Sequence, residues 1–443
     1  MEVKETNAAH RLTPEHVESF RHTEVGLLPT DWRLARLHEL ADIRTGIAKN
    51  SGAVIDNPVI VHYLRVANVQ DGYLDLSEMS QLRVRPEDVK RYAVLAGDML
   101  MNEGGDLDKL GRGALWTGEF EPCVHQNHVF VVRCGSQLLP EFLSAWTGSV
   151  HARRFFMLAG RQTTNLASIN KTSLGQFPVP LPSTKAEQKA IAEALSDINS
   201  LIENLSLLLA KKRQIKQGAM QELLTGRKRL PGFTGEWGAR VLGQSASLKA
   251  RIGWQGLTTK EYLDSGDFFL VTGTEIHDGE INWDECKHVD AVRYKQDVNI
   301  QLQMDDVLVT KDGTIGKVGI VAELPKPATL NSGVFVIRPI SKAFHPRFFY
   351  YLLCSSVFSD FLEQLAAGST ISHLYQKDFV KFAFRLPPTE DEQKAIARAL
   401  TDMDADVSAI GAKLSKARKL KQGMMQELLT GRIRLTRKRP FRT

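Results

Sequence analysis

Two stretches of this chain are copies of each other. Leu181–Leu230 reads LPSTKAEQKAIAEALSDINSLIENLSLLLAKKRQIKQGAMQELLTGRKRL and Leu386–Leu435 reads LPPTEDEQKAIARALTDMDADVSAIGAKLSKARKLKQGMMQELLTGRIRL. The second lies 205 residues after the first (386 − 181), aligns without a gap and is identical at 28 of 50 positions. An internal repeat this clear sets the architecture before any local pattern does. Whatever precedes the first copy should have a counterpart before the second.

Each copy reads as one long helix. Leu-Pro leads in, and Thr184 and Thr389 are N-cap residues with Glu187 and Glu392 three positions on, the spacing of a capping box. Acidic residues come early and basic ones late, as the helix dipole favours. Thr-Gly-Arg at Thr225–Arg227 and Thr430–Arg432 supplies a glycine stop. Apolar residues recur four and three apart: Ile191, Leu195, Ile198, Ile202, Leu205 and Leu209, then Ile396, Leu400, Met403, Val407, Ile410 and Leu414. That spacing is the a/d seam of a helix whose natural partner is another helix. We therefore expect an antiparallel coiled coil, with Ile191, Leu195, Ile198 and Leu205 facing Ile396, Leu400, Met403 and Ile410. Lys212 and Lys216 interrupt the first seam, so its register should drift there. The plainer alternative is that each helix packs only on its own domain.

The repeat reaches beyond the helices. Trp32 and Trp237 are 205 apart, as are Leu37 and Leu242. Shorter runs also align: Tyr63–Gly72 with Phe269–Gly279, Gly97–Met101 with Asp305–Val309, and Val129–Arg133 with Val334–Arg338. β-Branched runs between Asp-Gly and Gly-x-Gly punctuation read as strands and turns, and Pro140 and Pro346 open amphipathic helices. The fold class is therefore α+β: two tandem mixed α/β domains, each followed by a long helix, with the helix pairing generating a pseudo-twofold. The divisions are a leader over 1–24, a first domain over 25–181, a helix over 182–230, a second domain over 231–386, a helix over 387–435 and a basic tail over 436–443. Each domain is large enough for its own core. The two halves agree at core positions and disagree in polar loops (Gly160–Ser168 against Gly368–His373), as a common scaffold presenting two different surfaces would.

Composition excludes several classes. With 43% hydrophobic and 24% charged residues the chain is ordinary globular protein. No apolar run approaches the ~20 residues that span a bilayer, and MEVKETNAAHRLTPEHVESF lacks a signal-peptide core, so a cytoplasmic location without membrane contact is expected. Cys123, Cys134, Cys286 and Cys354 have no CxxC spacing and read as reduced thiols, with no metal. A net charge of +6 permits a nucleic-acid partner without requiring one. Lys311–Val318 carries Gly-Lys but lacks both the upstream Gly and the following Ser/Thr of a phosphate-binding loop, so it reads as a strand–turn–strand. His125 and His128 lack companion ligands. The chain has no Gly-x-Ser-x-Gly, no His-Glu-x-x-His, and no methyltransferase Asn/Asp-Pro-Pro-aromatic motif. It reads as a binder, not a catalyst.

On these features the chain resembles the specificity (S) subunits of type I restriction–modification systems. The resemblance is carried by Glu24–Trp32 (EVGLLPTDW), the two mixed domains, and the repeated Leu-Pro…Glu-Gln-Lys-Ala-Ile-Ala…Gln-Glu-Leu-Leu-Thr-Gly-Arg helices, and it covers nearly everything after residue 23. It implies that each domain is a target-recognition domain for one half of a bipartite, asymmetric site in double-stranded DNA. It implies helices that fix the spacing and dock methylation (M) subunits, two of them, alongside two restriction (R) subunits. It implies no cofactor in this chain, with S-adenosylmethionine in the M subunits and ATP and Mg in the R subunits. Rival readings are an interaction scaffold without DNA reading, a methylation-only adaptor without a nuclease partner, and a self-sufficient methyltransferase or nuclease.

For DNA contacts the first domain offers Arg161, Gln162, Thr163, Thr164 and Asn165, polar residues between apolar segments, with Arg44 and Lys49 on phosphates. Arg and Gln bond guanine and adenine edges in pairs. The second domain offers Ser369, Thr370, Ser372 and His373, with Lys311, Thr314 and Lys317 from the Gly-rich turn. The Asn102–Arg112 turn is the fallback surface.

Overall fold

Met99–Asn102 and Val307–Thr310 are buried at every position, which a strand permits only when both its faces are covered. The computed structural model describes residues 13–16, 19–48, 55–105, 110–162, 167–253, 256–366 and 373–436. The chain divides into two compact units, Met1–Leu205 with Lys413–Thr443, and Ser206–Ala412. In the first, β1 (Ala41–Thr45), β2 (Met99–Asn102), β3 (Gly113–Leu115) and β4 (Val129–Cys134) form an antiparallel sheet in the order β3-β2-β4-β1. In the second, β5 (Ala246–Lys249), β6 (Val307–Thr310), β7 (Val318–Ile320) and β8 (Val334–Pro339) repeat that order as β7-β6-β8-β5.

Alternation along the strands divides each unit into two layers. Met99, Met101, Phe130 and Val132 join the cluster that contains the helices, while Leu100, Val129 and Val131 join a second cluster with Leu64 and Trp116. Phe335 and Ile337 separate from Val334 and Val336 in the same way. Beneath this second layer lies a three-stranded sheet containing one parallel pair, Val59–Leu64 with Cys123–His125, or Phe268–Val271 with Ala328–Leu330. Each domain begins and ends at one antiparallel pair, Arg33–Arg36 with Pro178–Leu181 and Gly238–Val241 with Ala383–Leu386. That pair delivers the chain into its long helix.

The long helices run Lys185–Leu223 and Glu390–Leu428, shorter than the expected 182–230 and 387–435. Gly226 and Gly431 take φ of +71° and +67°, the left-handed stop expected of Thr-Gly-Arg. A Cβ on Gly431 would also lie 2.6 Å from Pro29 Cγ. Beyond the second stop, Ile433–Thr436 is a strand antiparallel to Thr13–His16, so the expected leader contains β-structure and the end of the stretch expected as helix, 387–435, is a strand that runs into the tail. Residues 437–443 of the tail lie outside the described residues.

Helix pairing is antiparallel within each unit. Ile191 and Leu195 share a core with Leu428 and Leu429, and Ile396 and Leu400 share one with Leu223 and Leu224. The expected face-to-face seam of Ile191 and Leu195 on Ile396 and Leu400 is thereby corrected. Opposed helices bring opening turns against closing turns, and these residues bury in their own domain's core as well. Ile198, Leu209 and Leu414 are buried, while Ile202, Leu205, Met403, Val407 and Ile410 are half-buried. The lysines that interrupt the first seam are engaged by carboxylates of the second long helix. Lys212 pairs with Asp406 at 2.7 Å, and Lys216 pairs with Asp404, which also accepts from Tyr351 at 2.8 Å.

The repeated Thr-x-x-Glu-Gln motif is half capping box and half lock. Thr184 and Thr389 Oγ1 accept from the N–H of Glu187 and Glu392 at 3.2 and 3.3 Å, as N-caps do. The glutamates do not reach back to the caps. Glu392 is fully buried and takes two bonds from Arg229, at 2.5 and 2.6 Å. Glu187 takes two from Arg434, which also holds Asp31 at 3.0 and 3.1 Å. Arg229 lies over the Trp237 ring and Arg434 over the Trp32 ring. Gln188 and Gln393 accept from the backbone N–H of Leu139 and His345 at 2.9 and 2.8 Å, tying each helix to its own domain. For Asp31, burial opposes ionisation, but the bonds from Ser183 and Arg434 win and hold its carboxyl below the usual range.

Removing one partner of a buried ion pair strands the other charge. Glu392→Ala and Glu187→Ala are each expected to cost roughly 3 kcal/mol, read as a lowered denaturant midpoint. A loss below about 1 kcal/mol, ordinary for exposed pairs, would mean that solvent already screens the lock.

Candidate nucleic-acid interface

Strands β2 and β6 end at the same backbone junction in both units. In the first, Glu103 N–H donates to the His128 carbonyl (2.9 Å) and Ile169 N–H donates to the Glu103 carbonyl (2.8 Å). In the second, Lys311 donates to Gly333 (2.8 Å) and Leu374 to Lys311 (2.9 Å). The junction thus joins the end of a central strand, the turn before β4 or β8, and the segment after the short helices. A buried carboxylate paired with a half-buried arginine supports each strand: Asp98 receives Arg133 at 2.7 and 2.8 Å, and Asp306 receives Arg338 twice at 2.6 Å. The same carboxylates accept from Leu95 and Gln303 N–H, fixing the turn into the strand.

A neighbouring joint is made differently in the two units. Gly46 lies so close to the 125–126 backbone that a Cβ would stand 2.1 Å from the His125 carbonyl oxygen, and Ile47 N–H donates to that oxygen at 2.8 Å. The residue 205 positions on is Arg251, which is buried. Its Nε donates to the Leu330 carbonyl at 2.9 Å, with Thr329 and Gln296 each at 3.3 Å. Backbone contact in one unit is replaced by a guanidinium in the other, and burial pulls that guanidinium's pKa down.

The expected contact residues fall around these junctions unevenly. Arg161 is exposed on a two-residue strand, Arg161–Gln162, paired with Ala167–Ser168, which pairs in turn with Gly104–Gly105. Gln162 shares that strand. Thr163, Thr164, Asn165 and Lys49 lie outside the described residues, as do Ser369, Thr370 and Ser372. Arg44 sits on β1 and is engaged by Asp42 at 2.7 Å. In the second unit Lys311, Thr314 and His373 gather at one turn. Lys311 lies over the Phe335 ring, Thr314 is exposed, and His373 bonds Asp312. Lys317 instead donates to the Gly273 carbonyl at 2.9 Å, so its ammonium bonds backbone. The Lys311–Val318 segment is the hairpin turn of β6 and β7, with Gly313 and Gly316 at φ of +69° and +77°. Glu103 and Asp312 escaped the sequence reading because each is unremarkable until the junction forms, and His128 was weighed there only as a metal ligand or a hydrogen-bonding loop residue. Glu103's place in the fallback turn was the available signal.

His125 and His128 are each engaged by a hydrogen bond, the loop role expected of them. His125 Nδ1 bonds the Val129 carbonyl at 2.6 Å and His128 bonds Glu103 at 2.7 Å. Among the described residues no group of three His, Cys, Asp or Glu could hold an ion, and no helix is long and apolar enough to cross a membrane. A cavity of about 440 Å³ beside His38, Asp42 and Lys171 contains none of the expected contacts.

The chain is a duplicated α+β domain with differing polar junctions and paired long helices, and comparison with known proteins gives its family. The type I restriction modification DNA specificity domain matches residues 29–216 and again 257–417, so the chain belongs to that family as a specificity subunit with two tandem recognition domains. A Methanocaldococcus jannaschii protein assigned as the MjaX type I restriction enzyme specificity subunit is 25% identical, over 94% of this chain and 97% of its own. The EcoBI specificity subunit of Escherichia coli is 23% identical, over 91% and 85%. The crystal structure of a type I restriction-modification S subunit from M. genitalium shares the fold with a TM-score of 0.58 over 90% of this chain and 96% of its own, at 15% identity.

His125 gives this surface a pH signature. Burial holds its pKa at about 4, against 6.5 for a free imidazole, despite the bond to Val129. The unfolded chain therefore binds the proton first, and stability falls as pH drops from 6.5 towards 4, by up to about 3 kcal/mol. Denaturant midpoints measured between pH 7 and 4 should show this slope, and His125→Gln should flatten it.

Proposed function

We propose that each unit reads one half of a bipartite, asymmetric DNA site, and that the long helices fix the spacing and dock two methylation subunits, with two restriction subunits joining them. The observation that carries this reading is the junction at the ends of β2 and β6. The same backbone bonds hold it in both units, yet its side chains are Glu and His in one and Lys, Asp and His in the other. One scaffold with two surfaces suits two unlike half-sites. Base edges are read by side chains from such junctions, and other basic groups hold phosphates. The chain itself catalyses nothing. S-adenosylmethionine belongs to the methylation subunits, and ATP with Mg to the restriction subunits. The complex works in the cytoplasm. Exposed Leu207, Leu208 and Ile215 on the first long helix supply apolar area for a docked partner.

Exchanging residues 25–181 for the matching domain of a relative should change one half-site and leave the other intact, as read by mapping modified adenines in cells that carry the partner subunits. If both halves changed together, the two-reader assignment would fail. Within the first domain, Arg161→Ala should weaken binding by roughly 1–3 kcal/mol and relax preference at one position. Unchanged affinity and preference would remove Arg161 from the reading surface.

A further inference from the structure

Both units place a carboxylate–imidazole pair at the junction, and they build it from non-equivalent residues. In the first, His128 Nδ1 lies 2.7 Å from Glu103 Oε2, and the Asn127 amide lies 3.3 Å from His128 Nε2. In the second, His373 Nδ1 bonds Asp312 Oδ1, and Lys311 Nζ stands 3.7 Å from Asp312 Oδ2. The backbone bonds align Glu103 with Lys311, and His128 with Gly333. His373, next to Leu374, aligns with Ser168, next to Ile169. No member of one pair is therefore the positional counterpart of a member of the other. Duplication alone would have carried the same residues to the same places. Two unlike routes to one arrangement point to a demand on the site.

We propose that Glu103 and Asp312 are specificity-determining residues, each accepting a hydrogen bond from the exocyclic amino group of a base, cytosine N4 or adenine N6, with the histidine as positioning residue. The proposal rests on the DNA-reading function above. A carboxylate facing DNA is repelled by the phosphates, so it helps only where a base offers it a donor. The geometry leaves such an acceptor available. Each imidazole donates from Nδ1 to one carboxylate oxygen and so orients the group. Glu103 Oε1 has no partner among the described residues, and Asp312 Oδ2 has only Lys311, beyond hydrogen-bond range. All four side chains reach solvent, Glu103 and His373 at 27% and 28% and Asp312 and His128 at 44% and 57%, so a docked duplex can meet them. Lys311 beside Asp312 offsets the phosphate repulsion in the second unit.

The test uses the full chain assembled with its methylation subunits and a random duplex library, sequencing what is retained. The wild-type complex should fix the identity of the base pair in each half-site whose cytosine N4 or adenine N6 the carboxylate takes. Glu103→Gln, nearly isosteric, should reduce that preference about tenfold in one half only, and Asp312→Asn should do so in the other. His128→Ala should reproduce the Glu103→Gln motif in weaker form. Variants that retain the wild-type motif, or that lose all sequences equally, overturn the proposal while leaving the two-reader function standing. A wild-type complex that enriches no sequence overturns both.

Discussion

The interaction on which the rest depends is the buried bond between Arg and Glu at the start of each long helix. A carboxylate sealed from water is tolerated only with full hydrogen bonding to a counter-charge. Glu187 and Glu392 therefore require Arg434 and Arg229 in place, and each arginine in turn requires its tryptophan and the left-handed glycine before it. The arginine that satisfies the second helix's glutamate follows the first helix, and the one that satisfies the first helix's glutamate follows the second. Neither repeat can complete its own lock. Antiparallel helices follow from that exchange as much as from their apolar residues.

Above this base, the domains keep their architecture and vary their ends. The alternation that sends Phe130 and Val132 one way and Val129 and Val131 the other is repeated by Phe335, Ile337, Val334 and Val336, because both strand faces must be covered. Buried aspartates paired with arginines hold the strands that end at the surface. Variation is left to residues past the strand ends, such as Glu103 and Lys311, whose backbone bonds do not depend on the side chain. The substitution of Gly46 by Arg251 marks the limit. A joint can change chemistry completely, provided that the carbonyl at 125 or 330 keeps its donor.

The two joints also show why the site is harder to read than the scaffold. Arg161 stood out as a charged residue in a polar run, and the structure keeps it exposed on a strand. Lys317 stood out equally, yet its ammonium bonds a backbone carbonyl forty-four residues away in sequence. Nothing local separates a lysine that faces solvent from one that stitches two turns together. The histidines behave likewise: His125 and His128 are three apart in sequence, but one is buried against the Val129 carbonyl and the other stands at the surface.

By itself the sequence determined what is periodic. The 205-residue repeat, the helices with their Thr caps and glycine stops, the hairpin around Gly313 and Gly316 and the division into two like domains all follow from spacing, which local sterics and helix geometry translate directly. Only the tertiary structure decided what is exchanged. It turned the capping-box glutamates inward to distant arginines, replaced the expected seam between Ile191 and Ile396 with contacts to Leu428 and Leu223, and drew Glu103 to His128 and Asp312 to His373. Those partners lie from tens to hundreds of residues apart. Which of them meet is set by the burial of whole faces, a quantity that no window of neighbouring residues contains.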